Sequence, residues 1–299
     1  MGSVIMGSLC HAPALWVQTG LTHGPEVGRA VPVLPPFAPP SAPAGPTLRF
    51  MGACAAIAAL IVAPAWGRAA GEPWALDGFP LGWLLTGLGL AGTMFHEVGH
   101  ALFGWLFGYA TLPMFDFAYG GGLALHAGRS WALFWAVAAA LAWALVRFRA
   151  YAVVAVPAAA ALALQLLLGF TPAHETLITF MGHGFEVLVA AFFLTRAWLD
   201  LAPRGWLERG LNGAIGFGML GQLGVFCWGL MRDGVQRAVY AQQKGGLHLG
   251  DFSRIAAEMG TSVEAVAGFC LACAAVGCVL PAALWAWTRW AGVEVRLER

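Results

Sequence analysis

The sequence predicts an all-α polytopic membrane protein of about seven transmembrane helices, with a re-entrant loop or short β-hairpin after the second. Three observations carry this prediction. Only 10% of the residues are charged and 60% are hydrophobic, whereas soluble domains carry about 25% charged residues. Apolar runs of about 20 residues, the length that crosses a bilayer core, recur along the chain. One stretch between two such runs, TLPMFDFAYGGGLALHAGRS, has the wrong pattern for a span and contains three consecutive glycines. The formal net charge is +1, with 16 basic and 15 acidic residues, so nothing points to a nucleic-acid partner.

The elements follow in order. Residues 1–48 form a tail, because PVLPPFAPPSAPAGP is too rich in proline for a helix or a packed core. The tail lacks a basic segment followed by an apolar core, so it does not read as a signal peptide. Met51 is an alternative start, and His11 and His23 in the tail receive no role. Residues 49–299 form the helical membrane domain, with spans expected at 50–66, 79–108, 131–147, 151–169, 176–198, 211–231 and 264–290. The glycine-rich stretch after the second span is tolerable at membrane depth only if protein or a water-filled cavity covers it. A polar loop, 232–263, separates the last two spans. Within it DFSRIAAEMG reads as a short amphipathic helix begun by an Asp or Ser cap. Asp116 reads as a turn residue accepting backbone hydrogen bonds. The six cysteines are scattered, and the CxxC of Cys270 and Cys273 lies in an apolar run, so it reads as core packing. Gly210, Ala214 and Gly218 make a small-residue ridge suited to tight helix packing, to movement as a gate or to oligomer contacts.

Seven spans place alternate loops on opposite sides of the membrane. The arginines slightly favour a cytoplasmic location for the side carrying Arg147, Arg149, Arg196 and Arg204. On this topology every histidine after residue 90 falls on the other side. The expected location is a bacterial inner membrane, with lipid as a partner.

MFHEVGHALFGW, residues 94–105, carries the chemistry. His96 and His100 are four apart and share a helix face, so both imidazoles can grip one metal ion. Glu97 is offset by about 100° and can act as general base toward a bound water. Composition alone predicts about 0.01 chance matches to H-E-x-x-H in such a chain. An acid beside two histidines inside a membrane helix is expensive and marks function. Gly89, Gly92, Gly99 and Gly104 lie near the histidine face, which points it into the bundle rather than at lipid.

HEVGHALFGWLFGYATLPMFDFAYGGG resembles the core of intramembrane zinc metalloproteases of the site-2 protease type. In that family an H-E-x-G-H-A-L helix is followed by an F-G pair, here Phe107 and Gly108. A strand-like segment then ends in paired glycines, here Gly120 and Gly121. The resemblance implies one zinc ion on His96 and His100 and water activation by Glu97. It also implies a hairpin edge, with Gly120 and Gly121, that pairs with an unwound transmembrane protein or peptide substrate. The family's third ligand is an aspartate in an L-D-G motif. The nearest match here, LDLAPRG with Asp200, lies on the wrong side of the membrane and does not take that role.

The residues themselves offer another third ligand in ITFMGHGFEVLVAAF. Glu186 would complete a set of two histidines and a carboxylate, which is common for catalytic zinc. His183, three residues earlier, is an alternative ligand or a group that holds Glu186. His248 and Asp251 in GGLHLGDFSR, His174 and Glu175 in TPAHET, and His126 read mainly as solvated loop residues, with His248 a further ligand candidate. The leading expectation is a zinc-dependent intramembrane peptidase or peptidase-like hydrolase. Two rivals stand beside it: a di-metal redox enzyme, and a transporter or degenerate peptidase that keeps the fold.

Overall fold

The computed structural model describes residues 15–18, 45–69, 82–116, 121–242 and 250–297. Strand β1 (Leu15–Gln18) precedes helices α1 (Gly45–Ala69) and α2 (Gly82–Leu106). A hairpin of β2 (Tyr109–Asp116) and β3 (Gly121–Arg129) follows, then α3 (Trp131–Arg147), α4 (Ala152–Leu168), α5 (Ala173–Trp198) and α6 (Trp206–Arg232). Two short helices, α7 (Gly234–Gln242) and α8 (Asp251–Met259), lead to α9 (Val263–Trp290) and β4 (Glu294–Leu297). β1 pairs antiparallel with β4. Apart from β1, part of the expected tail lies outside the described residues, and α1 starts at Gly45, inside its expected end.

All the apolar segments form helices, but length and composition qualify four of the described helices to cross a membrane. These are Gly45–Ala65 of α1, then α5, α6 and α9. The apolar helices α3 and α4 have 17 residues each, short of the roughly 20 that a span needs. α2 has 25 residues but carries His96, Glu97 and His100, which lower its apolarity.

α5 sits at the centre, packed against α2, α6 and α9, while α6 also holds α1. Val187, Ala190 and Leu194 of α5 meet Met219, Leu223 and Cys227 of α6 and Ala267, Cys270 and Ala274 of α9 in one buried cluster. Small residues set the spacing. A Cβ on Gly213 would stand 2.9 Å from Cys54 of α1, and one on Gly216 would stand 2.7 Å from Leu194. Gly218 of the expected ridge packs on Leu88 of α2. The glycines of α6 therefore serve packing within the chain.

The turn out of α2 depends on the Phe107–Gly108 pair. Phe107 is fully buried, and Gly108 has φ +88°, a conformation that favours glycine. The Gly108 carbonyl accepts from Ser130 N (2.7 Å), which closes the base of the hairpin. The stretch expected as a re-entrant loop or hairpin is a two-stranded antiparallel hairpin, with Leu112 opposite Leu125 and Phe115 opposite Gly122. Asp116 ends β2 opposite Gly121. Outer-face residues Leu112, Met114, Leu123 and Leu125 are exposed, while Thr111 on the inner face is buried.

Fully buried Gln165 of α4 ties the short helices to the bundle. Its Nε2 donates to Leu106 O (2.6 Å) at the end of α2 and to Phe134 O (2.8 Å) of α3. Gln165→Leu removes both donations from a site that water cannot reach, which costs about 1–3 kcal/mol. Thermal unfolding in detergent should show a lower midpoint; an unchanged midpoint would mean that α4 is held by packing alone.

Candidate metal centre

His96 and His100 share the face of α2 that lies on α5, and the closeness of these two helices depends on glycine. A Cβ on Gly99 would overlap the Met181 carbonyl and stand 2.5 Å from Phe185 Cβ. Opposite, a Cβ on Gly182 would stand 2.5 Å from His100 Nε2 and 2.6 Å from His96 Nε2. The two imidazoles thus occupy the space a side chain at 182 would need.

Each imidazole is oriented through its Nδ1. His100 Nδ1 donates to the Ile178 carbonyl (2.8 Å), and His96 Nδ1 donates to Glu186 Oε1 (3.0 Å). Both Nε2 atoms then converge, 3.0 Å apart. Asp251 closes the triangle: its Oδ2 lies 2.7 Å from His96 Nε2 and 3.2 Å from His100 Nε2. Burial pushes this carboxyl up, but hydrogen bonds from His100 and His96 outweigh burial and hold it well below the usual aspartate value.

Glu186 lies on the far side of the His96 ring from Asp251. Its Oε1 accepts from His96 Nδ1 and from His183 Nδ1, each at 3.0 Å. Glu186, expected to close the donor set, meets His96 at Nδ1, while the carboxylate against both Nε2 atoms belongs to Asp251. The sequence alone places Asp251 among solvated loop residues. It is instead the first residue of α8, whose flanking Gly250 gives no side-chain cap, and it is turned toward the histidines. Two sequence signals pointed to it: it opens an amphipathic helix, and it lies on the histidine side of the expected topology.

A second grouping, His96, His183 and Asp251, offers ligand atoms within 4.8 Å of one another. The trio of His96, His100 and Asp251 is tighter, at 3.2 Å or less. A tetrahedral ion with about 2.0–2.1 Å bonds sets its donors about 3.3–3.4 Å apart. The tighter trio needs only a slight opening to match that spacing, and its Nδ1 atoms are already committed as donors. The residues therefore fit an ion of this kind.

Glu97 is buried beside this triangle. Its carboxyl meets β3 at Gly122, where a Cβ would stand 2.6 Å from Glu97 Oε1. A cavity of about 430 Å³ opens between them, bounded by Thr93, His96, Glu97, Gly122, Phe226 and Asp251 among others. Gly121 is exposed on the hairpin, while Gly120 and His248 lie outside the described residues. His126 bonds Thr111 through Nδ1 (2.9 Å), and His174 Nε2 bonds the Tyr109 hydroxyl (3.0 Å). Both stand beside the hairpin base rather than in the donor set. Asp200 follows the end of α5 and pairs with Arg209 at 3.5 Å. Comparison of the chain with protein-family models, curated proteins and solved structures returns no match.

Gly182→Ala should force the imidazoles from their converged positions. We expect divalent-metal uptake to weaken at least about tenfold, measured by competition with a chromophoric chelator, with helical circular dichroism retained. Unchanged uptake would mean that the rings do not depend on this space.

Proposed function

We propose that the chain is a zinc-dependent intramembrane peptidase that holds one ion on His96, His100 and Asp251. The convergence of His96 Nε2, His100 Nε2 and Asp251 Oδ2 within 3.2 Å, beside a buried glutamate, carries this reading. Bound there, zinc would polarise a scissile carbonyl and lower the pKa of water toward about 7. Glu97 takes the proton from the attacking water and delivers it to the leaving amine as the C–N bond breaks. Glu186, braced by His183, fixes the His96 ring and makes it a better donor.

The hairpin gives the substrate a place. Among the described residues β3 pairs only with β2, and its Gly122 abuts Glu97. An extended peptide laid along β3 would pass close to this carboxylate, and peptide bonds become open to attack only in extended form. On this reading α2, α3 and α4 join the four longer helices in the membrane, the hairpin re-enters it, and the bundle sits in a bacterial inner membrane. The resemblance of HEVGHALFGWLFGYATLPMFDFAYGGG to site-2 proteases supports the reaction class. Asp251 would supply the acidic ligand whose motif is missing from the sequence, which favours this reading over the non-catalytic rival. The di-metal rival would draw on His96, His183 and Asp251, whose ligand atoms lie within 4.8 Å of one another, but this grouping shares His96 and Asp251 with the tighter trio.

Purified protein should contain one zinc per chain. Glu97→Gln should keep the ion and lose about 10²–10⁴-fold in turnover of a transmembrane peptide; full turnover with zinc bound would overturn the mechanism. Asp251→Ala should weaken zinc binding by more than about 100-fold. Glu186→Gln should weaken zinc binding by about 10–100-fold without abolishing it. The reverse order of these two effects would return the ligand role to Glu186.

A further inference from the structure

We infer that Tyr240, on α7, is the positioning residue that aims Asp251 into the donor triangle. This rests on the metal centre proposed above and adds a residue to it. α8 begins without a side-chain cap of its own, since Gly250 occupies the cap position. The missing acceptor comes from another helix: the buried Tyr240 hydroxyl accepts from Phe252 N at 3.0 Å. Helix starts leave such N–H groups unsatisfied, and an acceptor there fixes the entry angle of the chain. The bonded amide belongs to the residue directly after Asp251, so the hydroxyl sets the backbone from which that carboxylate projects.

The surrounding contacts make this a defined seat. Gly250 lies flat on the tyrosine ring, where a Cβ would stand 2.7 Å from both Cζ and the hydroxyl oxygen. Phe252 is fully buried, its ring centroid 4.7 Å from that of His183 and 5.8 Å from that of Phe226. Phe226 in turn meets Tyr240, with centroids 5.7 Å apart. The aromatic residues thus tie the start of α8 to the side chain that braces Glu186, while the hydroxyl acts on the side that carries Asp251. On the outer side, Thr176 of α5 donates to Glu258 (2.9 Å), which holds the far end of α8. With both ends held, the rotation of the first turn rests on the tyrosine hydroxyl.

Tyr240→Phe keeps the ring and removes only the acceptor. Zinc affinity should be measured by chelator competition for wild type, Tyr240→Phe, Asp251→Ala and the double variant, with visible absorption of the cobalt-loaded proteins alongside. We expect Tyr240→Phe to weaken zinc about tenfold and to move the cobalt spectrum toward that of Asp251→Ala. In the Asp251→Ala background the same change should have no further effect on affinity, because its route to the ion is gone. A wild-type affinity and spectrum in Tyr240→Phe, or an equal loss with and without Asp251, would overturn the assignment. Wild-type protein that takes up no zinc would remove the metal centre and this inference with it. None of these readouts needs peptide hydrolysis, so a failure of the peptidase reading is told apart from a failure of this one.

Discussion

An ionisable group inside an apolar bundle must find a partner, and the arrangement around His96 follows from that requirement. An unpaired buried polar group costs several kcal/mol, and an unpaired charge costs more. His96 meets it at both nitrogens, with Glu186 at Nδ1 and Asp251 at Nε2. Those partners come from α5 and α8, which are 90 and 155 residues away in sequence. One imidazole thus fixes the relation of a central helix, its neighbour and a short surface helix. The glycines at 99 and 182 permit it, because larger residues at either position would part α2 from α5.

Local patterning made much of this visible beforehand. The i, i+4 spacing of His96 and His100 fixes a shared face on any helix, and the apolar runs around them mark helices whatever their partners. The i, i+3 spacing of His183 and Glu186 likewise predicts their observed bond. What local patterning leaves open is which remote group meets which nitrogen. Glu186 and Asp251 are both acidic and both on the expected side, and both approach His96; only the geometry of the ring separates them. Glu186 stands out in the sequence because its helix is obvious, whereas Asp251 lies in a polar stretch. The number of spans is legible only in part, for a related reason. α3 and α4 are apolar along their whole length, yet each stops at 17 residues, and apolarity alone does not report length against a bilayer.

Gly108 shows the opposite case, in which sequence shows a residue but not its task. The Phe107–Gly108 pair stands out in the sequence only through a family resemblance, which carries no physical reason. The backbone supplies one. A left-handed residue turns the chain from helix to strand where a Cβ would stand 2.7 Å from the Ser130 carbonyl, and Phe107 anchors the turn in the core. This turn lays the inner face of β3 against α2, which brings Gly122 to Glu97. A turn of different geometry would leave the glutamate facing a cavity with no strand beside it.

The charge inventory of the cavity bears on what fills it. Glu97, Glu186 and Asp251 place three carboxylates around one space. No lysine or arginine is among the described residues lining it. Imidazoles are the cationic side chains at hand, and two of them already spend their Nδ1 atoms as donors to Glu186. A divalent ion at the two Nε2 atoms and Asp251 would offset two of the three negative charges. Glu97 would remain as the carboxylate outside the three donors, the one that the proposed mechanism uses as proton acceptor. Such a division suits the proposed hydrolase. It also accounts for Asp251 lying on a short amphipathic helix rather than on a long apolar one. Two histidines and a glutamate can be carried on α2 only if apolar residues surround them; adding the third ligand there would erode the apolarity further. A carboxylate from the polar segment between α6 and α9 avoids that burden.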